Sequence, residues 1–355
     1  MFNLGKWFKK ENPLQQELIT WLSGFRSEVF PVGIAAEWLN DVSISQAKLK
    51  ITLQLPFAAK QSAPEIAAYL NGKSGQECEV ECRVSLPKQN QFKDIKHIVL
   101  IASGKGGVGK STTTVNLALA LRDEGAKVGI LDADIYGPSL PSLLGLLDAR
   151  PEAADDKTLL PLKKHDIAAQ SIGFLVPAEQ ATVWRGPMAS QALQQLLNET
   201  AWGELDYLLV DMPPGTGDIQ LTMTQKVPAS GAVIVTTPQD LALADAQKGI
   251  AMFAQVNLPI LGLIENMSFF VCNQCGSETA VFGQHGGKRL AMRHGVPLLA
   301  EIPLHVGIRE QGEAGSDSRH DELAPLYQSA ARQLASTLYY QTHTATAVEI
   351  VITDD

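Results

Sequence analysis

The densest group of residues capable of chemistry is a glycine-rich segment with two lysines and a serine. Residues 104–111 read GKGGVGKS, which fits the spacing G-x-x-x-x-G-K-[ST]. The glycines let the backbone curl so that its N–H groups point inward, and a following helix adds partial positive charge. Lys110 would then reach the outer phosphates of a nucleotide, and the Ser111 hydroxyl would hold Mg²⁺. The residues predicted to bind nucleotide here are Gly104, Lys105, Gly106, Gly107, Val108, Gly109, Lys110, Ser111 and Thr112.

Carboxylates follow two later apolar segments. Asp132 and Asp134 close the run LDAD, and Asp211 closes LLVD, with Gly215 in the loop after it. A carboxylate at the end of a buried strand can hold Mg²⁺ directly or through water, which is the role predicted for Asp211. Asp132 and Asp134 are predicted to orient the attacking water or the waters of the metal. Gly215 is a predicted switch position near the terminal phosphate.

A cysteine pair forms a third candidate site. Cys272 and Cys275 are spaced C-x-x-C and precede Gly276, so both thiolates could face one metal. Iron–sulfur clusters and structural zinc both take four thiolates, so two protomers would each have to supply a pair. Spacing alone leaves the choice between a shared cluster and a shared zinc open. A redox pair is a third alternative, although no thioredoxin-like pattern surrounds it.

The elements that must position these residues read as a parallel sheet. Short Val/Ile/Leu runs end in Gly- or Asp-rich turns, and helical segments such as 112–122 follow them. Continuous apolar runs are typical of strands that helices cover on both faces, and such sheets bind ligands at the carboxyl ends of their strands. The fold predicted is α/β, doubly wound and mainly parallel. The strands predicted are 97–103, 127–133, 207–212, 231–237, 259–266 and 298–303.

The segment before this pattern has a different arrangement of apolar and polar residues. Residues 1–87 predict a small α+β domain with helices near 17–29 and 63–70 and strands over 47–55 and 79–86. Alternation on the last strand places Cys78 and Cys82 on one face, as core residues. The predicted domain limits are 1–87 for the N-terminal domain, 88–96 for a linker, 97–340 for the main domain and 341–355 for a tail.

Composition narrows the function classes. The chain has 355 residues and a formal net charge of −9, and an acidic surface disfavours a large nucleic-acid footprint. The N-terminus lacks the apolar run of a secretory signal, and no stretch approaches the ~20 apolar residues of a transmembrane helix. Four cysteines make no disulfide framework, which favours a reducing compartment. We therefore expect a cytoplasmic protein without stable membrane association.

The loop has a lysine near its start, and this feature resembles a motif of one class of ATPases. KGGVGKS, with Lys105 ahead of Lys110, resembles the deviant Walker A motif of the nitrogenase iron protein, arsenite-pump and MinD/ParA class of ATPases. In that class the early lysine reaches the phosphates bound by a partner subunit, so the resemblance implies a homodimer and a catalytic role for Lys105. A cation from the partner offsets charge developing near the terminal phosphate.

Further strings resemble one family within that class. The chain is similar to the Mrp/ApbC iron–sulfur cluster carriers over about residues 95–315. The resemblance implies binding and hydrolysis of ATP, coupled to holding a cluster, 4Fe–4S bridging a dimer, and passing it to apo-proteins. It favours a cluster over zinc at Cys272 and Cys275, and it implies that Asn266 contacts adenine. The strings are SGKGGVGKST, LDADIYGPS, WRGPMAS, DMPPGTGD, TTPQD, IENMS, CNQCG, FGQHGG and IPLHVGIRE.

The N-terminal segment departs from that family, and other function classes stay open. Where many members carry a Cys-Pro motif this chain reads LPFAAKQSAP, so cluster chemistry is not expected there. A MinD/ParA-type positioning ATPase is one rival, although the acidic C-terminus does not suit it. An electron-transfer iron protein and a zinc-binding regulatory or metallochaperone NTPase are the others.

Overall fold

The computed structural model describes residues 13–45, 48–87, 92–176, 186–272, 274–317 and 323–344. Several predicted segments lie outside these residues: residues 1–12, linker residues 88–91, Trp184 and Arg185 of WRGPMAS, Asn273 of the cysteine turn and the tail from 345. The chain divides into two compact units, Met1–Leu86 and Pro87–Asp355. Every helix within the described residues is too short or too polar to cross a bilayer.

The first unit is a three-stranded sheet with two helices. Its elements are α1 (Pro13–Gly24), β1 (Leu39–Ser45), β2 (Lys48–Leu55), α2 (Ala63–Ser74) and β3 (Cys78–Val84), with 3₁₀ turns at Ala36–Trp38 and Lys60–Ser62.

Strand β2 pairs antiparallel with β1 and parallel with β3, and α2 makes the crossover. The prediction that Cys78 and Cys82 are core residues is confirmed, since both are buried. The helix predicted to run to residue 29 ends at Gly24, because the Leu22 carbonyl accepts from the backbone N–H groups of Phe25 and Ile34 and turns the chain back.

The second unit is a doubly wound α/β domain, as the apolar runs predicted. Its strands are β4 (Ile95–Ala102), β5 (Val128–Asp132), β6 (Leu162–Lys164), β7 (Ile167–Ser171), β8 (Leu205–Asp211), β9 (Gly231–Thr236), β10 (Ile260–Val271), β11 (Glu278–Thr279) and β12 (Leu298–Leu304). Its helices are α3 (Lys110–Asp123), α4 (Leu140–Leu143), α5 (Gly186–Asn198), α6 (Asp218–Lys226), α7 (Asp240–Gln255), α8 (Gly286–His294), α9 (Val306–Ala314) and α10 (Ala324–Thr344), with a 3₁₀ turn at Ile172–Phe174.

The sheet order is β11-β10-β9-β4-β8-β5-β7-β6, with β12 beside β10. All pairs are parallel except β10–β11 and β6–β7 at the two ends. Alternate residues of β4, such as Ile98 and Leu100, share one buried apolar cluster with side chains from α5 to α8. Helix α3 packs on the sheet outside that cluster, and α10 packs on α3 and β12. Strand β4, buried on both faces, therefore delivers the glycine-rich loop between the two helical layers.

Four features of this sheet escaped the sequence patterns, the first being the two-residue strand β11. Strands β6 and β7 were not predicted, because IAAQS and LKK lack the Val/Ile/Leu runs that mark the other strands. The strand predicted over 259–266 continues to Val271 as β10. Its pairing with β12 shifts register between Asn266 and Phe270, so an irregular stretch hides the continuation. The interpretation of Asn266 as a strand-end residue was wrong.

Candidate functional site

The glycine-rich loop connects β4 to α3. Gly107 and Gly109 have φ angles of +80° and +81°, in the left-handed region that favours glycine, and Gly109 directly precedes α3. A Cβ on Gly104 would lie 2.2 Å from the carbonyl carbon of Asp245 in α7. Glycine at 104 thus allows close approach to a neighbouring helix, whereas Gly107 and Gly109 allow the turn itself.

The side chain of Lys110 is buried among oxygens. Its Nζ lies 2.6 Å from Asp211 Oδ1, 3.3 Å from Ser111 Oγ and 4.0 Å from Asp134 Oδ2. Thr114, one turn along α3, donates its hydroxyl to the same Asp211 oxygen over 3.0 Å. The lysine predicted to meet phosphates and the carboxylate predicted to meet Mg²⁺ therefore form an ion pair within the site. Thr114 was not predicted; its position four residues after Lys110 on the helix was the available signal.

Sheet register brings the carboxylates together. Asp132 of β5 pairs with Asp211 of β8, and Asp211 pairs with Ile101 at the end of β4. Asp132 is fully buried and accepts from the backbone N–H groups of Asp134 and Leu140 and from the hydroxyl of Ser171. Burial raises the pKa of Asp132 to about 7, and the nearby Asp211 carboxylate acts in the same direction. Asp132 thereby fixes the backbone around Asp134.

Asp134 occupies a different environment from Asp132. It lines a cavity of about 250 Å³ at the loop, the phosphate cavity, whereas Asp132 does not. Burial raises the pKa of Asp134, and the Lys110 ammonium opposes that rise. The other predicted residues that line this cavity are Lys105, Gly106, Gly107, Gly109, Lys110, Ser111 and Thr112.

A second cavity, of about 270 Å³, shares Gly109, Thr112 and Leu143 with the first, so the two form one groove. Its walls include apolar side chains such as Met267 and Ile308, together with Asn266. We call it the base cavity, since an apolar slot with a few polar groups beside a phosphate cradle suits a nucleobase.

Asn266 is tied to the loop. Its side-chain N–H donates to the Val108 carbonyl over 2.8 Å, and a Cβ on Gly109 would lie 2.2 Å from the same nitrogen. The glycine therefore makes room for the amide, and the amide oxygen remains as the acceptor it can present to a ligand. The backbone of Val108 belongs to this contact, while its side chain is buried.

Two further predicted residues contact segments next to the loop: Lys105, within the loop, and Gly215, in the loop after β8. The Nζ of Lys105 is 3.2 Å from Oε1 of Gln239, at the start of α7, within one chain. The N–H of Gly215, at φ +108°, donates to the Ser103 carbonyl over 2.9 Å, and the neighbouring Pro214 lines the phosphate cavity. Gln239 belongs to the TTPQD string, but its contact with Lys105 was not predicted because 134 residues separate them.

The cysteine pair lies away from the groove. Cys272 follows the last residue of β10, and its N–H donates to the Ser277 carbonyl over 3.0 Å. Cys275 is exposed, and both its thiol and that of Cys272 are free. The Ser277 hydroxyl, 3.1 Å from Sγ, lowers the pKa of Cys275, and so do the Ser277 backbone and Cys272. Among the described residues, no cluster of three or more His, Cys, Asp or Glu side chains could hold a metal.

A glycine-rich strand-to-helix loop with Lys110, Ser111 and Asp211 at the carboxyl edge of a parallel sheet defines a P-loop NTPase. The family described as ParA, NUBPL iron-transfer P-loop NTPase, matches residues 94–339. The chain belongs to this family.

Individual relatives agree with that assignment. The iron–sulfur cluster carrier protein of Haemophilus influenzae is 48% identical over 323 residues, which cover 87% of each chain. The iron–sulfur cluster transfer protein NUBPL of Mus musculus is 50% identical over 232 residues, covering 65% of this chain and 72% of that protein. A nucleotide-binding protein from Archaeoglobus fulgidus, solved in complex with ADP, has a TM-score of 0.59 and 38% identity, covering 66% of this chain and 92% of that one.

Proposed function

We propose that this protein is an ATP-hydrolysing carrier that holds an iron–sulfur cluster and passes it to apo-proteins. The observation that carries the proposal is the pairing, in one domain, of a P-loop groove with two free cysteines on an accessible turn. Its relatives are named iron–sulfur cluster carrier or transfer proteins. A cargo that must leave again suits exposed thiolates better than a buried structural site.

The nucleotide is the first ligand. ATP would lie with its phosphates against the loop N–H groups and its base beside Asn266. Lys110 would exchange its contact with Asp211 for the outer phosphates, which releases the carboxylate. The oxygens of Ser111 and Asp211 are the hard donors that Mg²⁺ prefers, and Asp134 lies near them, so these residues would hold the ion. The ion would supply charge neutralisation between the phosphates.

Hydrolysis requires a positioned water and positive charge at the terminal phosphate. Asp134, in the phosphate cavity, is the carboxylate placed to orient water, and Asp132 positions it through the backbone. Lys105 of a partner protomer would supply the second cation once it leaves Gln239. Gly215, whose N–H is bonded to the loop's first turn, would report loss of the terminal phosphate.

The cluster is the cargo. Two thiolates per chain match half of the four that a 4Fe–4S cluster takes, so a homodimer would complete the set. Such a cluster would lie between protomers at exposed turns, where an apo-protein with its own cysteines could receive it. A cytoplasmic location, no nucleic-acid partner and no stable membrane association remain predictions.

Anaerobic reconstitution of the full chain with iron and sulfide tests the cargo. Visible absorption and labile sulfide should show one cluster per two chains, and the mass in solution should be that of a dimer. Cys272→Ala and Cys275→Ala should each abolish the cluster, whereas the matched control Cys82→Ala, at a buried core position, should retain it. Zinc held in place of iron, or a cluster retained without Cys272, would contradict the proposal.

Phosphate release from ATP tests the enzyme. Lys110→Ala should remove turnover, because it deletes the cation at the phosphates. Lys127→Ala is the matched control, since Lys127 is an exposed lysine whose partner is Glu204 on the surface. Unchanged turnover in Lys110→Ala would refute the ATPase assignment.

A further inference from the structure

One strand connects the nucleotide groove to the cysteine turn. Strand β10 carries Asn266 at the base cavity and ends at Val271, immediately before Cys272. Cys272 lies six positions after Asn266, which is at most about 20 Å of extended chain. The two sites are therefore linked through covalent backbone and not only through packing.

At its inner end the strand is bonded to the loop. Asn266 donates to the Val108 carbonyl over 2.8 Å, and Gly109 lacks the Cβ that would push the amide away. Because the two groups are in direct contact, a ligand that moves the loop also moves Asn266. The contact is buried, so it is shielded from competing water.

Between the two ends the strand is irregular. Pairing with β12 advances four residues on β10, from Asn266 to Phe270, against two on β12. Within this bulge Met267 has φ +56°, a left-handed conformation that is unfavourable for a residue with a Cβ. The Ser268 hydroxyl lies 3.0 Å from the backbone oxygen of Glu265 and 2.8 Å from its carboxylate. Such strained bulges are elements that can have two arrangements.

Beyond the bulge the strand end is paired with the turn. Phe270 pairs with Thr279 and Val271 with Glu278 of β11, and the Cys272 N–H is bonded to Ser277. Ser277 also contacts the Cys275 thiol. A displacement of the end of β10 is therefore transmitted to both thiols through these contacts.

We propose that β10 couples the nucleotide groove to the cysteine turn, with Asn266 as the positioning residue and the bulge at Met267 as the element that changes shape. The proposal rests on the proposed function, since it requires that nucleotide bind the groove. Nucleotide and cluster then alter each other's affinity by the same factor, because such coupling is reciprocal. The bulge responds to nucleotide only as far as its two arrangements differ in affinity for it.

Thiol reactivity in the cluster-free full chain reports the link directly. Alkylation of Cys272 and Cys275 by iodoacetamide is followed by mass spectrometry, with and without Mg²⁺ and a non-hydrolysable ATP analogue at saturation. In the wild-type chain the analogue should change the rate at these thiols about fivefold or more, the lower range of measured couplings. Cys78 and Cys82, buried in the first unit, serve as internal references.

Two glycine substitutions at positive φ then separate the bulge from general effects. Met267→Gly removes the conformational preference of the bulge. Because Met267 also lines the base cavity, the analogue is used at a concentration shown by calorimetry to saturate this variant, and the response should then fall to less than about twofold, below the range of measured couplings. Asn257→Gly, at φ +54° before β10, is the matched control and should keep the full response. Ser268→Ala is a second uncoupling variant if Met267→Gly does not fold.

The outcomes separate the link from the function. Wild-type thiols that ignore a bound analogue, or a full response in both Met267→Gly and Ser268→Ala, overturn the coupling while leaving nucleotide binding intact. An analogue that does not bind overturns the coupling and the ATPase proposal together. Failure to assemble a cluster, with the thiol response present, overturns the carrier proposal alone.

Discussion

The Nζ of Lys110 and the Oδ1 of Asp211 lie 2.6 Å apart, in a site where both side chains are buried. Each charge is compensated by the other, and Thr114 adds a hydrogen bond to the carboxylate. A nucleotide that enters this groove would therefore compete with an internal ion pair. This pairing gives the groove a defined arrangement, and it ties the stability of the fold to the residues proposed for catalysis.

Removal of one member of that ion pair should destabilise the fold. Lys110→Met leaves a buried carboxylate uncompensated, and we expect the free energy of unfolding to fall by about 3 kcal/mol. The double variant Lys110→Met/Asp211→Asn should recover most of that loss, because Asn keeps the oxygen that accepts from Thr114. Urea unfolding of the single and double variants measures the coupling. Simple addition of the two single effects would show that the pair is not coupled.

Asp132 should make stability depend on pH in an unusual direction. Its folded pKa of about 7 lies above the unfolded value near 3.9, so the folded chain keeps a proton that the unfolded chain releases. Its contribution is fully present below about pH 4 and is lost as pH rises toward about 7.

Comparison of the wild type with Asp132→Asn isolates this term. The variant should be less stable at acid pH by about 1–3 kcal/mol, since its amide cannot accept from both Asp134 and Leu140. Its difference from the wild type should shrink as pH rises. His97 has the opposite effect on stability, because burial lowers its pKa to about 4, so its contribution grows as pH rises. Both proteins contain His97, so its effect cancels in the difference. A constant difference between the two proteins would contradict the assignment.

Gly109 should tolerate no side chain. Gly109→Ala places a Cβ 2.2 Å from the Asn266 amide nitrogen at φ +81°, so the contact with Val108 must break. We expect the affinity for ATP, measured by calorimetry, to fall about tenfold or more, equivalent to 1.4 kcal/mol. Gly203→Ala is the matched control, because Gly203 has φ +68° and a Cβ at that position would have nothing within 4 Å. Equal affinities in the two variants would show that the clash with Asn266 does not affect nucleotide binding.

Lys105 should act between protomers. If its ammonium completes the partner's site, Lys105→Ala should lower turnover about 100-fold or more, as for loss of a trans arginine. It should also abolish the dimer that nucleotide induces, measured by light scattering. Gln239→Ala removes the in-chain partner of Lys105 and should preserve the dimer. A Lys105→Ala protein that still dimerises and turns over would remove the case for a shared site.

Ser277 should control the reactivity of Cys275. Because the Ser277 hydroxyl lowers the pKa of that thiol, the rate of Cys275 alkylation should rise at a lower pH than it does for an ordinary cysteine. Ser277→Ala should move the profile to higher pH, since the thiolate loses a stabilising contact. The measurement is the alkylation rate at Cys275 between about pH 6 and pH 10, the span around an ordinary thiol pKa. A profile that does not move would mean that the hydroxyl has no such role.

Much of the second unit was predictable because its signals are local. The strand carrying Ile98 and Leu100 is apolar from Ile98 to Ala102, since helices cover both its faces, and GKGGVGKS has the spacing of a strand–loop–helix phosphate loop. By contrast β7 was missed, since Ala168 and Gln170 are buried by their position in the sheet and not by an apolar pattern. The contact made by Glu265 was also missed, because its partner lies far along the chain. Its carboxylate accepts from Gly287 at the start of α8, a contact across 22 residues.

The chemical groups of the site can be read from the chain alone: a phosphate loop, carboxylates at strand ends and a C-x-x-C turn, because each depends on residues close together in the chain. Which of these groups lie close together depends on how the chain folds. Register between β5 and β8 places Asp132 beside Asp211, and pairing with β12 and β11 continues β10 past Asn266 to Val271, next to Cys272. Long-range pairing depends on how strands align across the sheet, and residue spacing along the chain does not encode that alignment locally.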